Sequence, residues 1–202
     1  TALKVGRAVA ELLPAGPVVV GVSGGADSMA LALGAAWAAP RMRSEVRCVV
    51  VDHGLQAGSA EVAERTVDAL TSRGIAAEVR CVEVGRAGGI EAAARQARLE
   101  ALAHDGYPVL LGHTLDDQAE TVLLGLLRGS GIRSLAGMSA RRGPFLRPLL
   151  GIRRAETEAA CREWGVEWWS DPMNTDPRFA RVRARSVLAL LASELGRDIA
   201  VG

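Results

Sequence analysis

The chain has 202 residues, of which 49% are hydrophobic and 23% charged, and its formal net charge is +1. It is long enough for one large core, and no apolar run approaches the roughly 20 residues of a membrane-spanning helix. Its three cysteines lie far apart and form no CxxC pair, which argues against a disulfide framework or a zinc site and favours reduced thiols in the cytoplasm.

Apolar runs rich in β-branched residues alternate with helical patterns along the chain. We expect strands at 17–22, 46–52, 75–82, 108–112 and, shorter, 145–149. We expect helices at 3–13, 27–38, 60–73, 90–104, 115–128, 153–164 and 181–195. This order predicts an α/β fold: a doubly wound, mostly parallel five-stranded sheet with helices on both faces, plus a small helical C-terminal extension. Residues 1–150 would form the main domain, and 151–202 an arginine-rich extension packed against it.

The loop after the first strand, Ser23-Gly24-Gly25-Ala26-Asp27-Ser28, is the most informative motif. Between a buried strand and a helix, such a loop directs backbone N–H groups at an anion, most often a phosphate. Ser23 and Ser28 add hydroxyl donors, and Asp27 is suited to hold a Mg²⁺ that the phosphates also bind. No Gly-Lys-Ser/Thr follows, so the loop is not a Walker loop. The alternative is a glycine turn with a Ser or Asp helix cap.

A histidine and three acids follow the fourth strand, within His113–Glu120. On a helix His113, Asp117 and Glu120 share a face, and Asp116 and Glu120 are i,i+4 neighbours. Beside a phosphate loop, these side chains predict a site for Mg²⁺ and for a cationic substrate. The alternative is a capping box between Thr114 and Asp117, with acids that merely suit the helix dipole.

Two further pairs are candidates for nucleotide contacts. Asp52 and His53 end the second strand, a position beside the base or ribose in doubly wound nucleotide sites. Arg95 and Arg98 are i,i+3 neighbours on a helix and could clamp a phosphate. Asp52 and His53 could instead be ordinary polar residues at a strand end, and Arg95 and Arg98 could be solvated helix arginines.

Charge is unevenly distributed, with a net of −4 over residues 1–127 and +5 over 128–202, where every cation is an arginine. Such an asymmetry favours contact with an anionic macromolecule, although a solvated arginine-rich surface is the alternative. Trp164, Trp168 and Trp169 lie between the basic tracts and could stack an unpaired base, or form a buried cluster. The tracts comprise Arg141, Arg142, Arg147, Arg178, Arg181, Arg183 and Arg185.

These motifs together resemble a known family. Ser23–Ser28 resembles the PP-loop of the N-type ATP pyrophosphatase superfamily, and Gly112–Thr121, continuing to Arg128–Gly131 and Leu135–Met138, resembles the tRNA(Ile)-lysidine synthetase family. The resemblance extends from the first strand to about Arg185. Further segments fall where that family has them: Val51–Leu55, Ala94–Arg98, Arg147–Leu150, and Asp171-Pro172 with Asn174.

The resemblance implies that residues 1–150 are a PP-loop ATP pyrophosphatase domain, and it implies a reaction. An enzyme of this family would use ATP, Mg²⁺ and free L-lysine to modify the wobble cytidine of an isoleucine tRNA with a CAU anticodon. The cytosine C2 oxygen would be adenylated with release of pyrophosphate, and the lysine ε-amine would then displace AMP. Such an enzyme would be cytoplasmic without membrane contact, and a homodimer is compatible with the sequence.

The resemblance also implies roles for single residues. Ser23–Ser28 would hold pyrophosphate, Asp27 and Asp116 would hold Mg²⁺, and Asp52 and His53 would border the adenosine. The lysine ammonium groups would be bound by Asp117 and Glu120. The catalytic residues would be Asp27, His113, which would assist proton movement, and Arg95, which would neutralise phosphate charge. The tRNA would be bound by Arg141, Arg142, Arg178, Arg181, Arg183 and Arg185.

The chain departs from the family pattern at three positions. Gln56 stands where arginine is usual, Leu99 replaces an aromatic residue, and Val182 stands where asparagine is common. These changes bear on base and tRNA contacts more than on the family. No part of the chain resembles the C-terminal tRNA-binding domains of larger members, so we expect either a short form or a truncated chain. A truncated chain would bind tRNA weakly and would still bind ATP.

Three other functions fit part of the sequence. A PP-loop cytidine thiolase would need cysteines to carry sulfur or an iron–sulfur cluster, and three separated cysteines argue against it. A synthetase that amidates a small carboxylate leaves the arginine-rich part unexplained. A nucleotide-binding module without chemistry leaves the His113–Glu120 face without a role.

Overall fold

Six strands form one sheet in the structure of this chain. The computed structural model describes residues 1–56, 58–85, 89–129, 136–171, 173 and 176–196, except for the side chain of residue 91. The strands run in the order β3-β2-β1-β4-β6-β5, and every pair of neighbours is parallel except β5 and β6. They are β1 (Gly16–Val22), β2 (Ser44–Asp52), β3 (Ala76–Cys81), β4 (Val109–Leu111), β5 (Arg141–Arg142) and β6 (Phe145–Leu146).

Within the residues that the structure describes, seven helices connect and cover these strands, and each corresponds to a predicted one. None of the helices in the described part of the chain is long and apolar enough to cross a membrane. The helices are α1 (Ala2–Leu12), α2 (Ala26–Met42), α3 (Ser59–Thr71), α4 (Ile90–Ala103), α5 (Leu115–Leu127), α6 (Arg154–Glu163) and α7 (Ala180–Leu195).

The α/β class and the mostly parallel sheet are confirmed, but the prediction of five strands was wrong. The sixth strand is β5, which pairs with β6 across the two-residue loop Gly143-Pro144. Both of its residues are exposed arginines, so it has no apolar alternation from which a strand could be predicted. Helix α2 also extends beyond the predicted end at residue 38, through Pro40 to Met42.

The central part of the sheet is buried on both faces, which explains the apolar runs Val18–Val20 of β1, Cys48–Val50 of β2 and Val109–Leu111 of β4. Val18 and Val20 of β1 belong to the larger core, together with residues of α1, α2, α3 and α6. Val19 of β1 points to the opposite face, where it packs with Leu102 of α4 and Leu111 of β4. Helices therefore cover the sheet on both sides, as a doubly wound fold requires.

The strand order reverses between β1 and β4, which are parallel neighbours. The loops after these two strands consequently lie side by side at the carboxyl edge of the sheet, where doubly wound folds bind ligands. Their approach is close, because a Cβ built on Gly112 would lie 3.1 Å from the backbone oxygen of Asp27. The two predicted motifs, Ser23–Ser28 and His113–Glu120, thus converge on one place.

The C-terminal helices pack against different parts of this framework. Helix α6 contacts α1 and α2, and Cys161 within it belongs to the larger core. Helix α7 contacts α5. The N-terminus of α6 therefore faces the first turn of α2, which places Arg154 and Thr157 beside Asp27. A domain boundary near residue 150 stays a prediction.

Candidate active site

A cavity of about 1400 Å³ opens at the carboxyl edge of the sheet. Its walls come from the loops after β1 and β4, from helices α4, α5 and α7, from the start of α6, and from residues 168–171 and 173. Pockets for one small ligand usually measure about 300–1,000 Å³. The cavity therefore has room for a nucleotide together with a second substrate.

The glycine loop is held in a conformation that only glycine adopts easily. Gly24 has a φ of +82°, and a Cβ built on it would lie 2.6 Å from Oγ1 of Thr66 in α3. The backbone oxygen of Gly24 accepts a hydrogen bond of 2.9 Å from the N–H of Trp169. The loop is therefore fixed from two sides, and its backbone is open to a ligand.

Ser28 fastens the loop from within. Its hydroxyl donates to the carbonyl of Gly25 at 2.9 Å, and its Oγ accepts from the N–H of Ser23 at 3.1 Å. The hydroxyl of Ser23 is exposed and lies 3.3 Å from that of Ser28. The first backbone N–H groups of α2, which begins at Ala26, have no partner within the helix and face the ligand side of the loop. This is the arrangement that binds phosphate at a helix N-terminus.

Asp27 lies at the junction of three elements. One of its oxygens accepts a hydrogen bond from the Thr157 hydroxyl, and the other lies 3.3 Å from Nε of Arg154. Burial raises the pKa of Asp27 above its ordinary value of 3.8, although Thr157 and Arg154 act in the opposite direction. The neighbouring carboxylate of Asp117 raises it further. Asp27 therefore carries a charge that a cation entering with a ligand would stabilise.

We use the name carboxylate cluster for Asp27, Asp117 and Glu120, which converge on Arg154. The guanidinium of Arg154 lies 2.9 Å from an oxygen of Asp117 and 3.5 Å from one of Glu120. Glu120 is only 1% exposed and also accepts a hydrogen bond of 2.9 Å from Nε of Arg185. The cluster is thus largely compensated by arginines of α6 and α7.

Asp117 serves two purposes at once. Its Oδ2 accepts from the N–H of Thr114 at 2.8 Å, and the Thr114 hydroxyl accepts from its N–H, which forms the capping box at the start of α5. Its other oxygen, Oδ1, pairs with Arg154. The capping box considered as an alternative is therefore present, and it coexists with a carboxylate that lines the cavity.

Asp116 lies apart from the cavity wall. Its Oδ2 accepts a hydrogen bond of 2.7 Å from the backbone N–H of Arg154, and its Oδ1 lies 3.4 Å from Arg153. Within the described residues, no group of three or more His, Cys, Asp or Glu side chains is placed to hold a metal ion. A Mg²⁺ bound with ATP needs only one or two carboxylates beside phosphate oxygens. Asp27 alone fits that requirement at the loop.

His113 and Arg98 also line the cavity. Burial lowers the pKa of His113 from 6.5 to about 4, opposed by Asp117 and assisted by Arg147, Arg95 and Arg98. Its Nδ1 is buried and has no hydrogen-bond partner among the described residues, and the same is true of Nε of Arg98. Burial also lowers the pKa of Arg98, with Arg95 and Arg181 adding to the effect. The buried guanidinium of Arg98 therefore offers the cavity a site that attracts an anion.

The predicted base contacts lie outside the cavity wall. Asp52 Oδ1 accepts a hydrogen bond of 2.9 Å from the N–H of Gly54, which holds its pKa below 3.8. Nδ1 of His53 accepts from the N–H of Leu55 at 3.4 Å. Neither side chain is among those that line the cavity.

The predicted tRNA contacts divide into two groups. Arg141 and Arg142 are exposed on β5, Arg178 is 85% exposed and pairs with Asp176, and Arg183 is also exposed. Arg181 and Arg185 instead line the cavity and face Glu120. For the tryptophans we considered a buried cluster and a surface that stacks a base. Trp168 packs against the larger core, and it also lines the cavity together with Trp169.

Two residues that the sequence did not single out as site residues complete this site. Arg154 and Thr157 contact Asp27, and no motif in the sequence connects positions 130 residues apart. Arg98, and not only Arg95, reaches the cavity, where it is the more buried of the two. The sequence analysis named Arg98 together with Arg95 as a possible phosphate clamp, and both line the cavity.

Comparisons with known proteins agree with the motifs. The family model described as the PP-loop domain matches residues 2–191. Three curated proteins named tRNA(Ile)-lysidine synthase are similar to the chain: 58% identical over 187 residues in Cutibacterium acnes, 56% over 184 in Mycobacterium tuberculosis and 55% over 196 in Rhodococcus opacus. The alignments cover 90%, 90% and 95% of the chain. The chain spans 60%, 55% and 59% of the lengths of these relatives.

A solved structure shares the fold. The U34-tRNA thiolase NcsA from Methanococcus maripaludis, determined with its 4Fe-4S cluster, superposes with a TM-score of 0.74. The match covers 95% of this chain and 73% of the thiolase chain, at 18% sequence identity. At this identity the similarity establishes the α/β architecture alone.

Proposed function

Because the chain belongs to the PP-loop domain family, whose model matches residues 2–191, we propose that it binds ATP and carries out tRNA(Ile)-lysidine synthesis. In this reaction lysine is joined to the wobble cytidine of an isoleucine tRNA with a CAU anticodon, through an adenylated cytidine. The observation that carries the proposal is one cavity lined both by a phosphate loop and by the carboxylate cluster, which share Asp27. The name shared by relatives 55–58% identical supports it.

The phosphates of ATP would lie between the glycine loop and Arg98. The loop offers backbone N–H groups and the Ser23 hydroxyl, and Arg98 offers a buried Nε that lacks a partner within the described chain. An uncompensated buried guanidinium is unfavourable until an anion arrives. This geometry supports Arg98 as a phosphate ligand in addition to the expected Arg95, whose side chain is more exposed.

A magnesium ion bound with ATP would neutralise charge on the leaving pyrophosphate. The carboxylate of Asp27 would hold it, since it lines the cavity beside the loop and lies 3.3 Å from Arg154, a long and weak contact. Asp116 as a second ligand stays a prediction, because its oxygens pair with Arg153 and the start of α6.

The lysine side of the reaction would use the carboxylate cluster. Asp117 and Glu120 line the cavity together with His113 and would bind ammonium groups through charge-assisted hydrogen bonds. His113 is neutral at pH 7 because its pKa is about 4. Its unpartnered Nδ1 is therefore available to accept a proton from the attacking amine.

The tRNA would approach over the basic residues that face solvent. Arg141, Arg142, Arg178 and Arg183 are exposed and would contact phosphates of the anticodon stem. Trp169 lines the cavity and would stack on an unstacked base. We expect the remaining affinity for tRNA to come from regions that correspond to the rest of the relatives' length.

A tRNA thiolase is the second candidate, because a protein of that kind shares the fold. Its chemistry requires reactive or cluster-bound thiolates. Burial raises the pKa of Cys48 and Cys161 to about 12, so neither is a reactive thiolate at neutral pH. Cys81 is the one exposed cysteine of the three, all of which lie in the described chain. The cysteines therefore favour the lysine reaction.

The proposal is tested by turnover. The chain is incubated with ATP, Mg²⁺, radiolabelled lysine and an isoleucine tRNA transcript bearing CAU, at tRNA concentrations high enough to offset weak binding. We expect AMP, pyrophosphate and labelled tRNA in equal amounts. Asp27→Asn should abolish all three products, and Cys81→Ser should leave them unchanged.

Two results would contradict the proposal. Formation of AMP without labelled tRNA would show that the adenylated acceptor reacts with something other than lysine. Loss of product in Cys81→Ser, with sulfur transferred in the wild type, would favour the thiolase.

A further inference from the structure

Thr157 is buried beside the glycine loop, and its hydroxyl contacts Asp27. It is the fourth residue of α6, it is 0% exposed, and its hydroxyl donates to Oδ1 of Asp27. The same hydroxyl lies 2.7 Å from the carbonyl oxygen of Arg154, which as a helix carbonyl also receives a backbone N–H. A hydroxyl has a single proton, and an ionised acceptor binds it more strongly than a neutral one. The hydrogen bond to Asp27 is therefore the stronger of the two.

This bond makes the two oxygens of Asp27 unequal. Oδ1 accepts from a hydroxyl that is closed to solvent, whereas Oδ2 lies 3.3 Å from Nε of Arg154, a long contact. The Asp27 side chain is 21% exposed and lines the cavity. Since Oδ1 is committed to α6, Oδ2 is the oxygen through which Asp27 binds a cation in the cavity.

Cys161, one turn further along α6, holds the same part of α2 in a different way. Its Sγ donates to the carbonyl oxygen of Ala26 at 3.4 Å, and the residue is 0% exposed. Cys161 thus contacts the backbone beside Asp27, whereas Thr157 contacts the carboxylate. Comparing the two residues separates support of the helix packing from orientation of the side chain.

We propose that Thr157 restricts Asp27 to coordination through one oxygen and thereby selects Mg²⁺ over Ca²⁺ at the phosphates of a bound nucleotide. The inference rests on the proposed function, which it deepens by naming what selects the metal. Thr157 touches neither the metal nor a substrate, because its hydroxyl points to Asp27 from within the fold. It is a positioning residue that acts through Asp27.

The two metals differ in how they bind carboxylates. Mg²⁺ requires near-octahedral geometry and takes one or two carboxylates beside phosphate oxygens and water, whereas Ca²⁺ accepts more ligands and binds one or both oxygens of a carboxylate. A hydroxyl on Oδ1 leaves one oxygen of Asp27 for the metal, which suits Mg²⁺. Without that hydroxyl the carboxylate is free to turn, which misplaces the oxygen that binds Mg²⁺ and lets Ca²⁺ use both oxygens.

The test measures how each metal strengthens binding of α,β-methylene ATP, which is not cleaved. Calorimetry gives the Kd of the nucleotide with EDTA, with saturating Mg²⁺ and with saturating Ca²⁺. In Thr157→Val we expect the Kd with Mg²⁺ to rise roughly tenfold, since hydrogen bonds to a metal-binding carboxylate contribute about tenfold to a hundredfold to metal affinity. The Kd with EDTA should stay unchanged, and the Kd with Ca²⁺ should stay unchanged or fall. Thr157→Ala, which also lacks the hydroxyl, should act in the same way, and Thr157→Ser should restore the preference for Mg²⁺.

Cys161→Ala is the matched control, and it should leave the ratio of the Kd values with Mg²⁺ and Ca²⁺ unchanged. A parallel rise of both Kd values in Thr157→Val would overturn the inference, as would an equal loss of Mg²⁺ preference in Cys161→Ala. If the wild type forms labelled tRNA with Mg²⁺ but the Thr157 variants keep its metal preference, the proposed function stands and the inference fails. If the wild type binds the nucleotide equally well with EDTA and with Mg²⁺, Asp27 is not a metal ligand and the inference fails with that assignment.

Discussion

The low pKa of His113 predicts how the stability of the fold depends on pH. In the unfolded chain the imidazole titrates near 6.5, whereas burial lowers its pKa to about 4 in the folded protein. The difference of about 2.5 pKa units corresponds to about 3.4 kcal/mol. Since the folded state resists protonation, this stability is fully present above pH 6.5 and is lost as the pH falls towards 4. By pH 5 the loss should reach about 2 kcal/mol.

The assay is unfolding by guanidinium chloride at pH 7.5 and pH 5.0, in the wild type and in His113→Gln. Carboxylates contribute to the pH dependence of both proteins, so the difference between them isolates the imidazole. We expect the wild type to lose about 2 kcal/mol more than the variant. NMR gives the pKa directly, since the chain has only three histidines and the variant identifies the signal of His113. Addition of α,β-methylene ATP should raise that pKa, because the phosphates bring negative charge to the cavity.

Two results would refute this reasoning. Titration of His113 near 6.5 would mean that the imidazole is solvated. Equal loss of stability in both proteins at pH 5.0 would mean that the protonated imidazole is tolerated inside the fold.

Three other changes have expected outcomes. Gly24→Ala should weaken ATP binding and destabilise the fold more than Gly16→Ala. Both glycines have a φ near +83°, but the new Cβ would collide with Thr66 at position 24 and meet open space at position 16. Equal effects of the two changes in calorimetry and thermal unfolding would exclude the collision with Thr66. Glu120→Gln should cost about 1–3 kcal/mol of unfolding free energy, because Arg154 and Arg185, which are 24% and 41% exposed, lose a charged acceptor. A fully exposed pair contributes at most about 1 kcal/mol, so a cost below 1 kcal/mol would contradict the burial of Glu120. Arg98→Met should raise the Kd for ATP more than tenfold. A larger rise in Arg95→Met would mean that Arg95, and not Arg98, is the main phosphate ligand.

Much of the fold could be predicted because β1 and β2 are apolar on both faces and alternate with helices. Strand β5 is the exception, because apolar patterns in the sequence did not predict it. Strand β5 consists of two exposed arginines, so its pairing depends on the Gly143-Pro144 turn and on an edge that β6 provides. That edge is a property of the assembled sheet, and no pattern within Arg141–Arg142 indicates it.

The site could be predicted only as far as single motifs reach. The loops containing Asp27 and Asp117 meet because the strand order reverses between β1 and β4, which the alternation of strands and helices already indicated. Arg154 reaches the same point from α6 because that helix packs against α1 and α2. Contacts between residues 37 to 127 positions apart depend on packing between helices, and neither spacing nor residue type encodes that packing.

Compensation of charge explains which atoms of this cavity are open to ligands. Each buried acid must be paired or hydrogen-bonded for the chain to fold, and the arginines of α6 and α7 fulfil that need for most of the carboxylate oxygens. Four buried side-chain atoms of residues that line the cavity lack a hydrogen-bond partner within the described chain: Oε2 of Glu120, Nδ1 of His113, Nε of Arg98 and Oγ1 of Thr121. The first three belong to an anion, a neutral base and a cation, and they correspond to the ammonium, the transferred proton and the phosphate that the proposed reaction brings together. A substitution that frees a further charged atom should therefore change which ligand binds, whereas one that removes an existing pair should mainly destabilise the fold.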